Sequence, residues 1–292
     1  MTTKAIHRKA LFLMITAASL WSIAGVLTRQ LHAAHGFEVT FWRSLFASLF
    51  VACALAWQHR SQTVARLLSM GKFGLASGFM WAVMFCCFMI ALTMTTVANT
   101  LIVMSVSPLL TALLAWIILH QKIAGRTWLA IAVALIGMVW MFAGGMSRVD
   151  AKGLAGMLIA VGIPVAASVN VIVLKKAGKS VDLIPAVLVG GVISGCLMLP
   201  FALPLQASLH DIFILAVLGV LQLGFPCMLM VSASRHLSAP EISLLALLEV
   251  LLGPIWAWLG AGEVPAAETL AGGGVVLAAL VFNELLALKE DV

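Results

Sequence analysis

Long apolar runs separated by short polar breaks make up almost the whole chain. Each run is about 20 residues long, which as a helix matches the thickness of a bilayer's hydrocarbon core. Strands of a membrane barrel would instead show shorter segments of alternating polarity. The pattern predicts ten helical spans, at 10–31, 36–57, 71–92, 96–119, 126–143, 153–174, 182–203, 208–231, 239–261 and 266–287.

Composition supports lipid as the solvent of this chain. Of its 292 residues, 63% are hydrophobic and only 10% are charged, whereas about a quarter of a soluble domain is charged. Within lipid every backbone polar group must be bonded inside the protein, so spans are helices. Although Lys4, Arg8 and Lys9 resemble the start of a signal peptide, the apolar run from Ala10 to Leu31 is too long for one. The first span is therefore expected to be retained in an all-α integral membrane protein.

The distribution of basic residues predicts the orientation of the spans. With the amino terminus inside, most of the 17 Lys and Arg residues fall on the inner side. This asymmetry predicts that both termini are cytoplasmic, as expected for a multi-pass protein of the bacterial inner membrane. The net charge of +6 is then explained by the positive-inside bias and by anionic headgroups, and no nucleic-acid partner is expected.

The two halves of the chain resemble each other weakly. Ala115-Trp116 recurs as Ala257-Trp258, and Leu109-Leu110 recurs as Leu251-Leu252 at the same offset. Five helices in each half would make the second half enter the membrane from the opposite side. We therefore predict two inverted five-helix repeats, at 1–146 and 147–292, in one membrane domain. Inverted repeats are a common plan among secondary transporters.

Ionisable residues within the spans are candidates for function, because they are costly in lipid. Glu249 is the carboxylate nearest the centre of a predicted span. It is either a contact for a substrate amine or a proton-coupling site, or else a protonated or hydrogen-bonded packing group. Arg43 lies about a turn inside the outer end of span two. It could meet a substrate carboxylate, pair with Glu38, or extend to the membrane surface.

Neutral polar residues, prolines and tryptophans supply further candidates. Polar side chains within spans either contact a substrate or form hydrogen bonds between helices. A proline frees a backbone carbonyl, which can line a cavity or mark a hinge, or it only kinks the helix. A tryptophan at mid-span can stack on a solute, or it packs against protein or lipid. The predicted substrate-binding residues are Trp21, Trp81, Asn99, Ser107, Pro108, Pro164, Asn170, Gln222 and Glu249.

Several segments resemble the drug/metabolite transporter superfamily, in its EamA-like ten-helix branch. The second half carries Ala233–Pro240, Leu248-Glu249 and Trp258–Glu263, which are similar to that family's signature. The first half carries the following similar segments: Leu20-Trp21-Ser22, Phe41-Trp42-Arg43, and Ala91-Leu92 through Ser107-Pro108 to Ala115-Trp116.

This resemblance implies a basket of ten helices around a central cavity, lined mainly by spans 1, 3, 4, 6, 8 and 9. It implies export of amino acids or related metabolites from the bacterial cytoplasm. Within the family, the chain looks most like the YddG-type aromatic amino-acid exporters.

We therefore expect a monomeric exporter of small molecules that works by alternating access, without a cofactor. One alternative is an exporter of other metabolites or of toxic organic cations from the same superfamily. Another is a passive channel or a structural membrane subunit. An intramembrane enzyme would need paired acid–base or metal-binding groups at depth. The seven histidines all fall at span ends or in loops, and the five cysteines show no metal spacing, so neither an enzyme nor a metal site is expected.

Overall fold

The computed structural model of the chain describes residues 3–34, 36–95, 97–142, 151–178, 181–261 and 267–290. The regular structure in these ranges is helical, with no strand. The first half forms α1 Thr3–Trp21, α2 Ala24–Thr28, α3 Gly36–His59, a 3₁₀ turn Arg60–Gln62, α4 Thr63–Ser69, α5 Gly71–Met94, α6 Val97–Met104, α7 Ser107–Leu119 and α8 Gly125–Phe142. The second half forms α9 Ala151–Ala177, α10 Ile184–Ala202, α11 Leu209–Val217, a π-helical segment Leu218–Gly224, α12 Phe225–Ala233, α13 Ala239–Ala246, α14 Leu248–Ala261 and α15 Ala267–Glu290.

Eight helical segments of the described chain are long and apolar enough to cross a membrane. They are Ala5–Thr28, Gly36–Ser69, Gly71–Met94, Asn99–Leu119, Ala151–Ala177, Ile184–Ala202, Leu209–Ala233 and Ala239–Gly260. Two shorter apolar helices, Gly125–Trp140 and Leu270–Asn283, coincide with the two remaining predicted spans. The helical membrane class is thus confirmed, while ten crossings remain a prediction.

Several of the predicted spans are interrupted near their middle. Span 1 breaks at Ser22 and Ile23, between α1 and α2, and span 4 breaks at Ser105 and Val106, between α6 and α7. Span 9 breaks at Leu247, and span 8 passes through the π-helical segment. Each interruption releases backbone groups from the regular helical ladder, which in a membrane is tolerated only inside the protein.

The continuous helix predicted over 96–119 is wrong around Pro108. The helix ends at Met104 and a new one begins at Ser107, so Pro108 lies in the first turn of α7. Proline is favoured there because the amide that it lacks would have no helical partner in that turn. Pro164 does lie inside a helix, in the middle of α9.

Buried carboxylates hold loops at one end of the bundle, here called the outer end and defined by Glu38 and Asp211. The Glu38 carboxylate accepts hydrogen bonds from the amides of Gln206 and Ala207, at 3.0 and 2.8 Å. Asp211 accepts from the amides of residues 32–34, at 2.9, 3.0 and 3.3 Å. Each carboxylate therefore ties its own helix to a loop from the other half of the chain.

The opposite end, the inner end, is held by cationic side chains. Arg235 donates to Asp182 at 2.9 Å, and His59 lies 3.9 Å from the same carboxylate. Lys175 donates to the carbonyl oxygens of Ser234 and Leu237, just after α12. A cation is well placed there, because the last carbonyls of a helix have no helical partner.

Glycines allow close packing beside the centre of the bundle. A Cβ atom on Gly190 of α10 would lie 2.9 Å from the carbonyl oxygen of Gly78 on α5, and it would also overlap Trp81. A Cβ atom on Gly219 would lie 2.8 Å from the Arg43 carbonyl oxygen. Small residues at such contacts let helices in a membrane approach closely. At Gly274 an added Cβ atom would instead meet open space.

We expect Gly190→Ala and Gly219→Ala to destabilise the protein by roughly 1–3 kcal/mol, the usual effect of overpacking. In both cases the added methyl group meets backbone atoms, which cannot turn away. Thermal unfolding in detergent measures the change, with Gly274→Ala as the matched control that should melt no lower than wild type. Equal melting temperatures for all three variants would contradict this packing.

Candidate functional site

A cavity lies at the centre of the bundle, beside the interruptions in spans 1, 4, 8 and 9. It is lined by all six spans that the family resemblance implies, with Arg43 from span 2 in addition. Its lining includes Met14, Trp21, Trp81, Met84, Phe85, Phe88, Met104, Ser107, Thr111, Ile163, Pro164, Asn170, Gln222, Cys227, Ser243 and Glu249.

The cavity is small and mostly apolar. Its volume is about 160 Å³, similar to that of engineered apolar cavities that take up one benzene ring. Trp21, Trp81, Phe85 and Phe88 contribute rings to its wall. The rings of Trp81 and Phe85 lie next to each other, with their centroids 5.7 Å apart. A small solute with an apolar or aromatic side chain therefore fits the space.

Seven of the nine predicted residues line this cavity, and Asn99 and Pro108 do not. Asn99 is buried on α6, where its side-chain nitrogen donates to the Thr95 hydroxyl at 3.0 Å. Pro108 is excluded because α7 starts anew after the break, which turns Ser107 and Thr111 toward the cavity. These two are four residues apart and so share a helix face, from which Pro108 points away.

A hydrogen-bonded chain connects Arg43 to the end of α1. The Arg43 side chain is only 5% exposed, and its guanidinium donates to the Gln222 side-chain oxygen at 2.7 Å and lies 3.1 Å from the Met89 sulfur. The Gln222 amide nitrogen in turn donates to the Trp21 carbonyl at 3.2 Å. Glu38, which the sequence offered as a partner for Arg43, binds loop amides instead. Gln222 lies in the π-helical segment, a type of distortion that is frequent at functional sites.

Glu249 supplies the carboxylate of the cavity. It lies in the first turn of α14, directly after the break at Leu247. The amino end of a helix is a favourable place for a negative charge. Its side chain lines the same cavity as the Arg43 guanidinium. Among the described lining residues, these two are the ones with side chains that are normally charged.

Three lining residues carry hydrogen-bond donors without a partner. They are the Arg43 Nε, the Trp81 Nε1 and the Asn170 Nδ2, all buried. The oxygen of Asn170 is already used, because it accepts from the Ser77 hydroxyl at 2.6 Å. A buried donor without an acceptor is costly, so a solute that brings acceptor atoms into this cavity would be stabilised.

Phe85, Phe88 and Thr111 also line the cavity, and the sequence did not single them out as binding residues. In a membrane helix nearly every face is apolar, so periodicity does not show which face meets a cavity. Spacing from Trp81 was the available signal, since Phe85 and Phe88 follow it by four and seven residues on one face of α5.

Comparison with known proteins identifies the class. The sequence pattern of the EamA-like transporter family matches residues 8–143 and 154–284. The chain belongs to this family, and it is therefore a membrane-embedded transporter of small molecules.

Two relatives and one solved structure are similar to this chain. The pseudopaline exporter CntI of Pseudomonas aeruginosa is 22% identical over 276 residues, which are 94% of this chain and 95% of that protein. Solute carrier family 35 member G1 of Mus musculus is 25% identical over 187 residues, which are 59% of this chain and about half, 49%, of that protein. A solved crystal structure matches 97% of this chain and 99% of its own chain, with a TM-score of 0.79 and 16% identity, which shows the shared fold.

We expect Gln222→Met to destabilise the protein by about 2 kcal/mol, since a hydrogen bond to a charged group contributes about 1.5–3 kcal/mol. Methionine keeps the volume but removes both hydrogen bonds, which leaves the Arg43 guanidinium poorly satisfied. The melting temperature in detergent measures the loss. Gln58→Met, at an exposed position, is the control and should have little effect; a similar change in both variants would refute the role of Gln222.

Proposed function

We propose that this transporter exports amino acids with aromatic or other hydrophobic side chains out of the bacterial cytoplasm. The observation that carries the proposal is the presence of one guanidinium and one carboxylate in the lining of a small cavity that is mostly apolar and aromatic. An amino acid is a zwitterion, so its carboxylate complements the guanidinium of the cavity and its ammonium complements the carboxylate.

The charges favour one orientation of the substrate. The substrate carboxylate would lie near Arg43, in a cavity whose lining also offers the unpartnered donors of Trp81 and Asn170. Arginine suits a carboxylate because its planar fork matches the two oxygens. The substrate ammonium would then lie near Glu249. Arg43 and Glu249 together carry no net charge, so a solute with a single charge would add an uncompensated charge to the interior, which is unfavourable.

The wall of the cavity favours the side-chain class. Trp21, Trp81, Phe85 and Phe88 can place ring faces or edges against an aromatic ring, which contributes beyond the burial of area alone. The volume of about 160 Å³ suits one ring and little more. Both features support an aromatic or bulky aliphatic amino acid over a longer polar metabolite.

Alternating access by two inverted repeats is the proposed mechanism, with each protomer working alone. The family pattern covers two segments, 8–143 and 154–284, that lie within the proposed repeats 1–146 and 147–292. Interrupted spans beside the central cavity support the same plan, since transporters of this type bind their substrate at broken helices.

A second candidate substrate comes from the relative that covers most of the chain. That relative is named as a pseudopaline exporter, and its alignment spans both halves of this chain. Under this alternative the cavity would carry a metabolite like pseudopaline in place of a free amino acid.

Reconstituted proteoliposomes test the substrate class. We expect labelled phenylalanine or tryptophan to enter faster when the same amino acid is loaded inside, because a carrier exchanges substrates whereas an open channel does not. Phenethylamine, which lacks the carboxylate, and N-acetylphenylalanine, which lacks the ammonium, should compete poorly. Competition by pseudopaline alone would favour the second candidate, and the absence of exchange with every solute would overturn the transport proposal.

Substitutions of Arg43 and Glu249 test their proposed roles in substrate binding in the same assay. We expect Arg43→Lys and Glu249→Gln to reduce exchange by roughly tenfold or more, as the loss of a hydrogen bond to a charged group predicts. Glu241→Gln is the matched control, because Glu241 lies outside the central cavity and caps α13.

An imposed pH gradient distinguishes the energy source: a proton-coupled carrier responds to it and loses the response in Glu249→Gln. Unchanged transport in Glu249→Gln would remove Glu249 from the mechanism.

The proposed topology places both termini in the cytoplasm of a bacterium, within its inner membrane. The excess of Lys and Arg at the inner end supports it, including Lys175, Lys176 and Arg235. Green fluorescent protein fused to the carboxyl terminus should fluoresce, whereas alkaline phosphatase fused there should be inactive. The reverse result would place that terminus outside and contradict the proposed orientation.

A further inference from the structure

Two histidines and one aspartate from distant parts of the chain meet at the outer end. The potential ligand atoms of His32, His210 and Asp211 all lie within 4.8 Å of one another. We propose that these three side chains bind a divalent transition-metal ion of the Zn²⁺ type. The site is separate from the central cavity, so its failure would leave the proposed transport function untouched.

The carboxylate is fixed in place before any ion arrives. Asp211 is fully buried, and its Oδ2 accepts hydrogen bonds from the amides of Ala33, Ala34 and Ser208. Its Oδ1 accepts from the amide of His32, at 2.9 Å, and lies 3.8 Å from the Nδ1 of His210. A carboxylate oxygen has two lone pairs, so Oδ1 retains one after it accepts from the His32 amide. This is a preorganised ligand, which needs no further ordering to bind.

The two imidazole rings have the separation that a shared ion requires. Their centroids lie 4.9 Å apart, with the ring planes 15° from parallel. Two imidazoles on one tetrahedral ion, each with a metal–nitrogen bond of about 2.0–2.1 Å, have centroids roughly 5 Å apart. In their present stacked arrangement the rings face each other, and an imidazole nitrogen binds a metal in the plane of its ring, so both side chains must turn to direct one nitrogen each at an ion beside Asp211. Both histidine side chains are exposed, which leaves room for that turn.

The donor set indicates the class of ion. Imidazole nitrogen suits Zn²⁺, Cu²⁺ and Ni²⁺, whereas Ca²⁺ and Mg²⁺ prefer oxygen ligands. Three protein ligands leave a coordination position for water or for a group from outside, as in open zinc sites. Spacing along the sequence could not reveal this site, because His32 precedes α3 and the other two ligands lie in α11, in the second half.

Binding would cross-link the two halves at the outer end. His32 belongs to the loop between α2 and α3, while His210 and Asp211 open α11. Asp211 already connects these segments through the amides of the loop. An ion that binds the folded state would add to this connection and raise the stability of the whole protein.

Zn²⁺ titration of the purified protein in detergent tests the proposal, with a purification tag that contains no histidine. Calorimetry should show one Zn²⁺ per chain and no heat with Mg²⁺, and Zn²⁺ should raise the melting temperature. His32→Ala and His210→Ala should each weaken Zn²⁺ binding at least roughly tenfold, since even substitutions outside the first coordination sphere can cost that much.

His120→Asn is the matched control. His120 is also exposed and adopts a left-handed conformation that asparagine tolerates, so this variant should bind Zn²⁺ like wild type. Wild-type affinity in both His32→Ala and His210→Ala would place the ion elsewhere and overturn the proposal. Failure of the wild-type protein to bind Zn²⁺ would do the same, whatever the transport assays show.

Discussion

A guanidinium buried in an apolar bundle must be hydrogen-bonded, and the architecture around the cavity follows from how that requirement is met for Arg43. The Gln222 side-chain oxygen accepts a hydrogen bond from the Arg43 guanidinium, and the Gln222 side-chain nitrogen donates one to the Trp21 carbonyl. That carbonyl lies at the break between α1 and α2, and Gln222 is presented by a π-helical segment. Gly219, in the same segment, lets the backbone approach the Arg43 carbonyl. Irregular backbone, close packing and buried charge are thus parts of one arrangement.

This arrangement explains why the interruptions cluster at the centre of the protein and not at its lipid-facing surface. A broken helix exposes amides and carbonyls that lipid cannot satisfy. The breaks at Ser105 and at Leu247 therefore face protein and the cavity, where side chains or a solute can meet the freed groups. The ends of the bundle are held by side chains instead. Buried carboxylates bind the amides of loops at the outer end, as Glu38 and Asp211 do, whereas Lys175 and Arg235 hold the inner end.

The sequence was sufficient for the membrane class, for the positions of the helical segments and for seven of the cavity residues, because each depends on composition or on a costly residue in an apolar run. The sequence was insufficient for features that depend on tertiary contacts. Pro108 begins a helix because α6 ends at Met104, and no local pattern marks that end. The sequence did not show that Phe85 and Phe88 face the cavity, because all sides of α5 are apolar. The meeting of His32 with His210 depends on the packing of the two halves.

The balance of charge in the cavity bears on how the carrier would return after releasing its substrate. Arg43 and Glu249 offset each other, so the empty cavity carries no net charge when both are ionised. A buried pair is far less costly than a single buried ion. A zwitterion adds no net charge either, so the loaded and empty forms would meet similar electrostatic barriers. On the proposed function, exchange therefore needs no accompanying ion, and a proton on Glu249 would be the single change that converts this facilitated exchange into coupled export.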